Sequence, residues 1–181
     1  MTYNGYSALY NGGQYSQLNS GVALASSTTL TDISPGANAA GQAVTFPLDT
    51  FQPGQQFRVI AGGIFSTTGT PTLVMGLYLG GVAGVVLGAT VAAATAQSSV
   101  TNFPWYLNAM LRVATVGATG TIFCAGAVNG PWTTVVSGTL SSTGNSVNTG
   151  ASQTLTLGAQ WGTSSASNSI QCTQFAVEQL A

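Results

Sequence analysis

The stretch QFRVIAGGIFS, residues 56–66, has the clearest periodicity in the chain. One set of alternate positions carries small or apolar residues, namely Phe57, Val59, Ala61, Gly63 and Phe65, and the other set carries Arg58, Ile60 and Ile64. A period of two residues is typical of a β-strand with one face in a core. We therefore predict a strand over residues 56–66.

Similar short runs occur on both sides of this stretch, and turn clusters such as residues 67–71 and Gly80-Gly81 separate them. The other candidate strands cover residues 22–33, 43–46, 72–79, 85–92, 104–115, 121–128, 132–136, 155–161 and 170–177. The pattern predicts an all-β fold, an antiparallel jelly-roll-like β-sandwich of about eight to ten strands. Residues 139–152, rich in Ser, Thr, Gly and Asn, are predicted to be an exposed loop.

The first twenty residues differ in texture from the rest. Tyr3, Tyr6, Tyr10 and Tyr15 stand among Asn, Gly and Gln, without a helix or strand period. Tyrosine gives a large contact area with a polar tip and is enriched at interfaces. We predict an irregular N-terminal arm over residues 1–20 that binds a partner through these tyrosines, and a sandwich domain over residues 21–181. The alternative is an untethered terminus.

The chain is almost free of charge. It holds two basic residues, Arg58 and Arg112, and three acidic ones, Asp32, Asp49 and Glu178, with no histidine. Two arginines cannot supply the basic surface that nucleic acid requires. Without histidine or lysine, the usual activated nucleophiles and bases are missing, as is a zinc ligand set. We predict a non-enzymatic protein without metal or cofactor, in which the aspartates make turn hydrogen bonds.

Residues 73–96 are long and apolar enough to raise the question of a membrane helix. No basic residue flanks them, and Gly80-Gly81 divides them into two runs of strand length. We therefore predict that the chain does not cross a membrane.

The cysteines and tryptophans complete the candidate residues. We predict that Cys124 and Cys172 are reduced thiols packed as small hydrophobic groups, which fits synthesis in a cytoplasm. Residues 1–20 also lack the pattern of a secretory signal. Trp105 shares its strand face with leucines and is expected in the core, whereas Trp132, after a proline, is the possible exposed aromatic residue and could stack on a sugar.

Several stretches together resemble small β-rich structural proteins of tailed bacteriophages, commonly minor capsid, head-decoration or fibre-type proteins with a jelly-roll sandwich. They are FRVIAGG at 57–63, STTGTPTL at 66–73, LYLGG at 77–81, NFPWYL at 102–107 and LRVATVGATGT at 111–121. The resemblance covers roughly residues 55–130.

The resemblance implies a virion protein, made in the host cytoplasm, that binds the major capsid protein or other virion proteins on the capsid surface, as a homotrimer. A net charge of −1 agrees with a surface covered by other chains, because weakly charged surfaces tend to associate. One alternative is a tail or fibre-tip protein that recognises host carbohydrate. Another is a cellular surface or membrane protein.

Overall fold

The computed structural model describes residues 14–16, 21–35, 44–48, 50–88, 94–96, 98–130 and 144–180. All regular structure in these ranges is β-strand. The strands are β1 (Gln14–Ser16), β2 (Leu24–Ala25), β3 (Thr31–Asp32), β4 (Val44–Phe46), β5 (Gln56–Ser66), β6 (Thr72–Leu79), β7 (Val85–Gly88), β8 (Ala94–Thr95), β9 (Phe103–Thr115), β10 (Gly120–Asn129), β11 (Asn145–Val147), β12 (Gln153–Trp161) and β13 (Ser169–Gln179).

The strands form two antiparallel sheets. The larger sheet has the order β1-β13-β5-β9-β10-β11, and β2 also pairs with β13. The smaller sheet has the order β3-β12-β6-β7, with β4 on β12 and β8 on β6. Buried apolar side chains from both sheets belong to one core cluster, so the sheets pack as the two layers of a β-sandwich. The predicted all-β, antiparallel sandwich is confirmed.

Alternation along the long strands fills this core. In β5, Phe57, Val59, Ala61 and Phe65 are buried, whereas Arg58 on the opposite face is only partly buried, as predicted. β9 alternates in the same way from Trp105 to Val113. At one end of the core, the ring of Phe46 lies 5.0 Å from that of Phe51 and 5.1 Å from that of Phe57, in tilted and edge-on arrangements that aromatic pairs prefer.

The hairpin predicted at Gly80-Gly81 is present between β6 and β7. Both glycines have positive φ angles, 86° and 83°, which side-chain-bearing residues rarely adopt. The apolar stretch at residues 73–96 therefore supplies strands of the smaller sheet where the structure describes it. No helix in the described ranges is long and apolar enough to span a bilayer.

Two local predictions were wrong. Residues 22–33 form two short strands, β2 and β3, because the intervening hydroxyl groups bond locally: Thr31 donates to the carbonyl oxygen of Thr29 at 2.9 Å. Within residues 139–152, predicted as an exposed loop, β11 pairs with β10. Val147 is buried there, and Asn145 Nδ2 donates to the carbonyl oxygen of Leu87 at 2.7 Å, which ties this segment to the smaller sheet.

The N-terminal range predicted as an irregular arm contains one strand. In β1, Tyr15 lies opposite Val177 of β13 in the larger sheet. The described end of the arm is therefore part of the sandwich. The predicted strand at 132–136 lies outside the described residues, as does Asp49.

Candidate functional site

The outward side of the larger sheet carries most of the charge in the chain. We call this surface the outer face; it consists of the outward side chains of β5, β9, β10 and β13. Arg58, Arg112 and Glu178 all lie on it, and together they are three of the chain's five charged residues. In a chain with so few ions, this clustering makes the outer face the leading candidate for an interaction surface.

Strand register explains how these charges come together. Glu178 of β13 lies opposite Arg58 of β5, and Arg58 lies opposite Met110 of β9. Opposite charges on neighbouring strands stabilise a sheet by roughly 0.2–1 kcal/mol. The Arg58 Nε also donates to Asn108 Oδ1 at 3.3 Å, so the guanidinium is anchored along the face.

Arg112 is held in a different way. It lies opposite Phe123 of β10, and its guanidinium carbon is 5.2 Å from the centre of the Phe123 ring. A cation over an aromatic ring at this distance is attracted to the ring electrons. Arg112 is exposed.

Between the charges, the outer face is apolar. Its partly buried side chains include Ile60, Met110 and Ala176, and Ala125 is exposed. The mixture of fixed guanidinium groups and apolar side chains suits the binding of another protein surface, since arginine and methionine are enriched where proteins meet.

A second feature is a shallow, largely apolar depression of about 370 Å³ at one end of β9 and β10. It is lined by Phe103, Pro104, Trp105, Tyr106, Asn129 and Gly130. Phe103 and Tyr106 are 41% and 40% exposed, and they are the aromatic members of the exposed large hydrophobic residues in the described ranges. Trp105 beneath them is buried, as predicted, and its Nε1 donates to the carbonyl oxygen of Gln171 at 3.2 Å.

Most of the residues predicted to bind partners lie outside the described part of the chain. Tyr3, Tyr6, Tyr10 and Trp132 lie outside the described residues. Tyr15 lies in β1, at the edge of the larger sheet. The predictions for these side chains stay predictions.

Asp32 has the turn role predicted for it. Its Oδ1 accepts a hydrogen bond from the backbone N–H of Ser34 at 2.8 Å. Desolvation by burial raises the pKa of the Asp32 carboxyl, against the smaller opposite effect of its hydrogen bonds with Ser34. Asp32 therefore closes a turn. The described residues contain no group of three potential metal-ligating side chains.

Both cysteines are free and buried, which confirms their prediction as packed thiols. Burial raises the pKa of each thiol to about 12. A thiol with so high a pKa is poorly nucleophilic at neutral pH, because the thiolate is the reactive form. Cys124 and Cys172 therefore belong to the core and not to a site.

The sequence analysis did not predict that Phe103, Tyr106 and Asn129 lie next to each other on the surface. The alternation in β9 carried part of the signal, since it places Tyr106 on the face opposite Trp105 and Leu107. Asn129 reaches Tyr106 only through the pairing of β10 with β9. That pairing depends on the register of two separate strands.

The chain matches no family model, and neither a curated protein nor a solved structure is detectably similar to it. The class established by the fold is an antiparallel, all-β sandwich.

Proposed function

We propose that this chain is a non-enzymatic structural protein of a bacteriophage virion, which binds the capsid as a trimer and stabilises or decorates it. The observation that carries the proposal is the distribution of charge: five charged residues in 181, three of them on the outer face. A chain whose surface is covered by neighbours does not need charge for solubility, and large permanent interfaces are rich in apolar area.

The order of strand pairing supports a jelly-roll winding. In a jelly roll, successive pairs of a long antiparallel hairpin alternate between two sheets. Here the pairs β2·β13, β4·β12, β5·β9 and β6·β7 alternate between the larger and smaller sheets. The pairs β13·β5 and β12·β6 then join them within each sheet, while β10 and β11 extend the larger one.

In this proposal the outer face docks on a neighbouring virion protein. Burial of apolar side chains around Ile60 and Met110 would supply affinity, at roughly 25 cal/mol for each Å² removed from water. The anchored guanidinium groups of Arg58 and Arg112 would fix the orientation by meeting carboxylate or carbonyl oxygens of the partner. Many copies on one particle would make modest contacts sufficient.

The experiment compares two charge insertions. Ile60→Arg places a guanidinium in the apolar part of the outer face, whereas Val116→Arg places one at an exposed residue between β9 and β10. Each purified variant is mixed with virus particles that lack the chain, and bound protein is measured after sedimentation. We expect at least tenfold weaker binding for Ile60→Arg and unchanged binding for Val116→Arg. Equal binding of both variants would refute docking through this face, and no binding of the unaltered chain would refute the capsid role.

The binding role of the tyrosine arm is tested by a deletion that leaves the larger sheet intact. Because Gln14–Ser16 pairs with β13, removing it would also uncover the edge of the larger sheet. A deletion of residues 2–12 removes Tyr3, Tyr6 and Tyr10 and keeps β1. We expect this deletion to reduce incorporation into particles, and undiminished incorporation would contradict a binding role for the arm.

The aromatic depression favours a second candidate function. Exposed aromatic rings beside the amide side chain of Asn129 suit a tail or fibre-tip protein that recognises host surface carbohydrate. Trp132 follows Gly130, a lining residue of the depression, by two positions in the sequence. This candidate predicts saccharide binding by the isolated chain, whereas the capsid role predicts binding to particles.

A further inference from the structure

We infer that a short row of residues crossing the larger sheet, Gln174, Gly62, Tyr106 and Asn129, together with Phe103, forms a binding site for a neutral saccharide. We call these five residues the aromatic row. The inference rests on the second candidate function and deepens it by assigning the residues and the charge class of the ligand.

Register places the aromatic row on four neighbouring strands. Gln174 pairs with Gly62, Gly62 pairs with Tyr106, and Tyr106 pairs with Asn129. Because neighbouring strands lie about 4.8 Å apart, Gln174 and Asn129 are separated by about 14 Å, with the Tyr106 ring between them. This span is long enough for more than one sugar unit.

The chemistry of the row matches the two kinds of surface that a sugar has. The exposed ring of Tyr106 can cover the C–H groups of a sugar ring, and the exposed Phe103 lines the same depression. The side chains of Asn129 and Gln174 are exposed at either end, and a primary amide both donates to and accepts from hydroxyl groups. Gly62 between them is buried and carries no side chain, and the space for a ligand is the depression lined by Phe103, Tyr106 and Asn129.

The aromatic row is held rigidly. Tyr106 and Phe103 belong to β9, which is paired with β5 on one side and β10 on the other. Phe103 also lies 6.5 Å from the buried ring of Phe65, measured between ring centres. A site on a paired strand loses little conformational freedom when it binds.

The ligand class follows from charge. The described residues that line the depression carry no formal charge. The Cα of Arg58 lies four residues from that of Gly62 along β5, about 13 Å away at the rise of a strand, and the Arg58 guanidinium is held by Asn108 Oδ1 at 3.3 Å. A site for acidic sugars would need a cation at hydrogen-bond distance, so the row is suited to uncharged ones.

The test uses the full chain and four neutral disaccharides: maltose, lactose, mannobiose and N,N′-diacetylchitobiose. Binding is measured by titration calorimetry and by saturation-transfer NMR, with digalacturonic acid as an acidic probe. We expect at least one neutral disaccharide to bind, at least tenfold weaker binding in Tyr106→Ala, and several-fold weaker binding in Asn129→Ala. Val116→Ala, which also truncates an exposed apolar residue, should bind as the unaltered chain does. Circular dichroism establishes that each variant is folded.

Three results would overturn the assignment. They are no binding of any neutral disaccharide, equal binding by Tyr106→Ala and the unaltered chain, and tighter binding of digalacturonic acid. Saccharide binding that survives Tyr106→Ala and disappears in Trp132→Ala would leave carbohydrate recognition standing and would remove it from the aromatic row.

Discussion

Alkaline pH should destabilise this protein through its two buried thiols. Cys124 and Cys172 have an ordinary pKa of 9.0, and burial raises it to about 12 in the folded chain. Between these two values the unfolded chain releases protons that the folded chain retains. Since a lower proton occupancy of the unfolded state makes stability fall as pH rises, the free energy of unfolding decreases from about pH 9 upward.

The size of the effect follows from the shift. One pH unit corresponds to about 1.4 kcal/mol for each group that ionises in only one state. At pH 10.5, which is 1.5 units above the ordinary thiol value of 9.0, each cysteine costs about 2 kcal/mol and the pair about 4 kcal/mol. With a urea dependence of about 2 kcal/mol/M, the unfolding midpoint should move down by about 2 M. Tyr78 adds to the effect, because burial raises its pKa as well.

The assay is urea unfolding followed by far-ultraviolet circular dichroism at pH 8 and pH 10.5, in the presence of a reductant. The matched variant carries Cys124→Ala and Cys172→Ala. It should be less stable at pH 8 because of the missing sulfur atoms, but its midpoint should move much less between the two pH values, by the part that Tyr78 contributes. If the unaltered chain had equal midpoints at both pH values, or if the variant kept the full shift, thiol burial would not be the cause.

Three further predictions concern single substitutions. Asp32→Asn should stabilise the chain at pH 7, because it removes a carboxylate whose burial is unfavourable. The unaltered chain should gain stability as pH falls through the raised pKa of Asp32, and the variant should not; thermal unfolding at several pH values measures the difference. Gly63→Ala would place a carbon 1.9 Å from a backbone oxygen of β13 and should lower the free energy of unfolding in urea by about 3 kcal/mol. The control is Gly150→Ala, whose nearest neighbour lies at 3.5 Å and which should cost far less. Arg112→Ala should lower the free energy of unfolding by about 0.5–1 kcal/mol through the lost contact with Phe123. In a chain that already carries Phe123→Leu, the same substitution should cost little, which a double-mutant cycle measures.

The sequence predicts the strands well where one face is buried along their whole length. In β5, alternation alone assigns Phe57 and Val59 to the core and Arg58 to the surface, and the structure agrees. The glycine pair at 80–81 likewise locates a hairpin, because its positive φ angles follow from the missing side chain. These features are local, so a single sequence contains them.

The pairing of strands that are distant in the chain cannot be predicted from alternation. Alternation does not say that β13 lies between β1 and β5, or that an irregularity between Cys172 and Gln174 shifts their register. β11 was missed because a single apolar residue, Val147, anchors it to the core, while its other ties are to β10 and to a carbonyl oxygen of β7. The candidate sites depend on such pairings, so the sequence does not show that Arg58 and Glu178, or Tyr106 and Asn129, are neighbours.

The two candidate functions compete for the same surface. A standard protein interface covers about 800 Å² on each partner, which corresponds to a disc with a radius of about 16 Å. Tyr106 lies four residues from Met110 along β9, about 13 Å away, so a partner centred on Arg58 and Met110 would cover the Tyr106 ring.

A disaccharide bound at the aromatic row should therefore inhibit docking on particles, and particle-bound chains should bind no disaccharide. Adding the tightest-binding neutral disaccharide to the sedimentation assay measures this directly. Inhibition would establish that docking and sugar binding share the outer face. Simultaneous binding of particle and sugar would show that the docked partner covers a different part of the chain, and the charge cluster would then need another explanation.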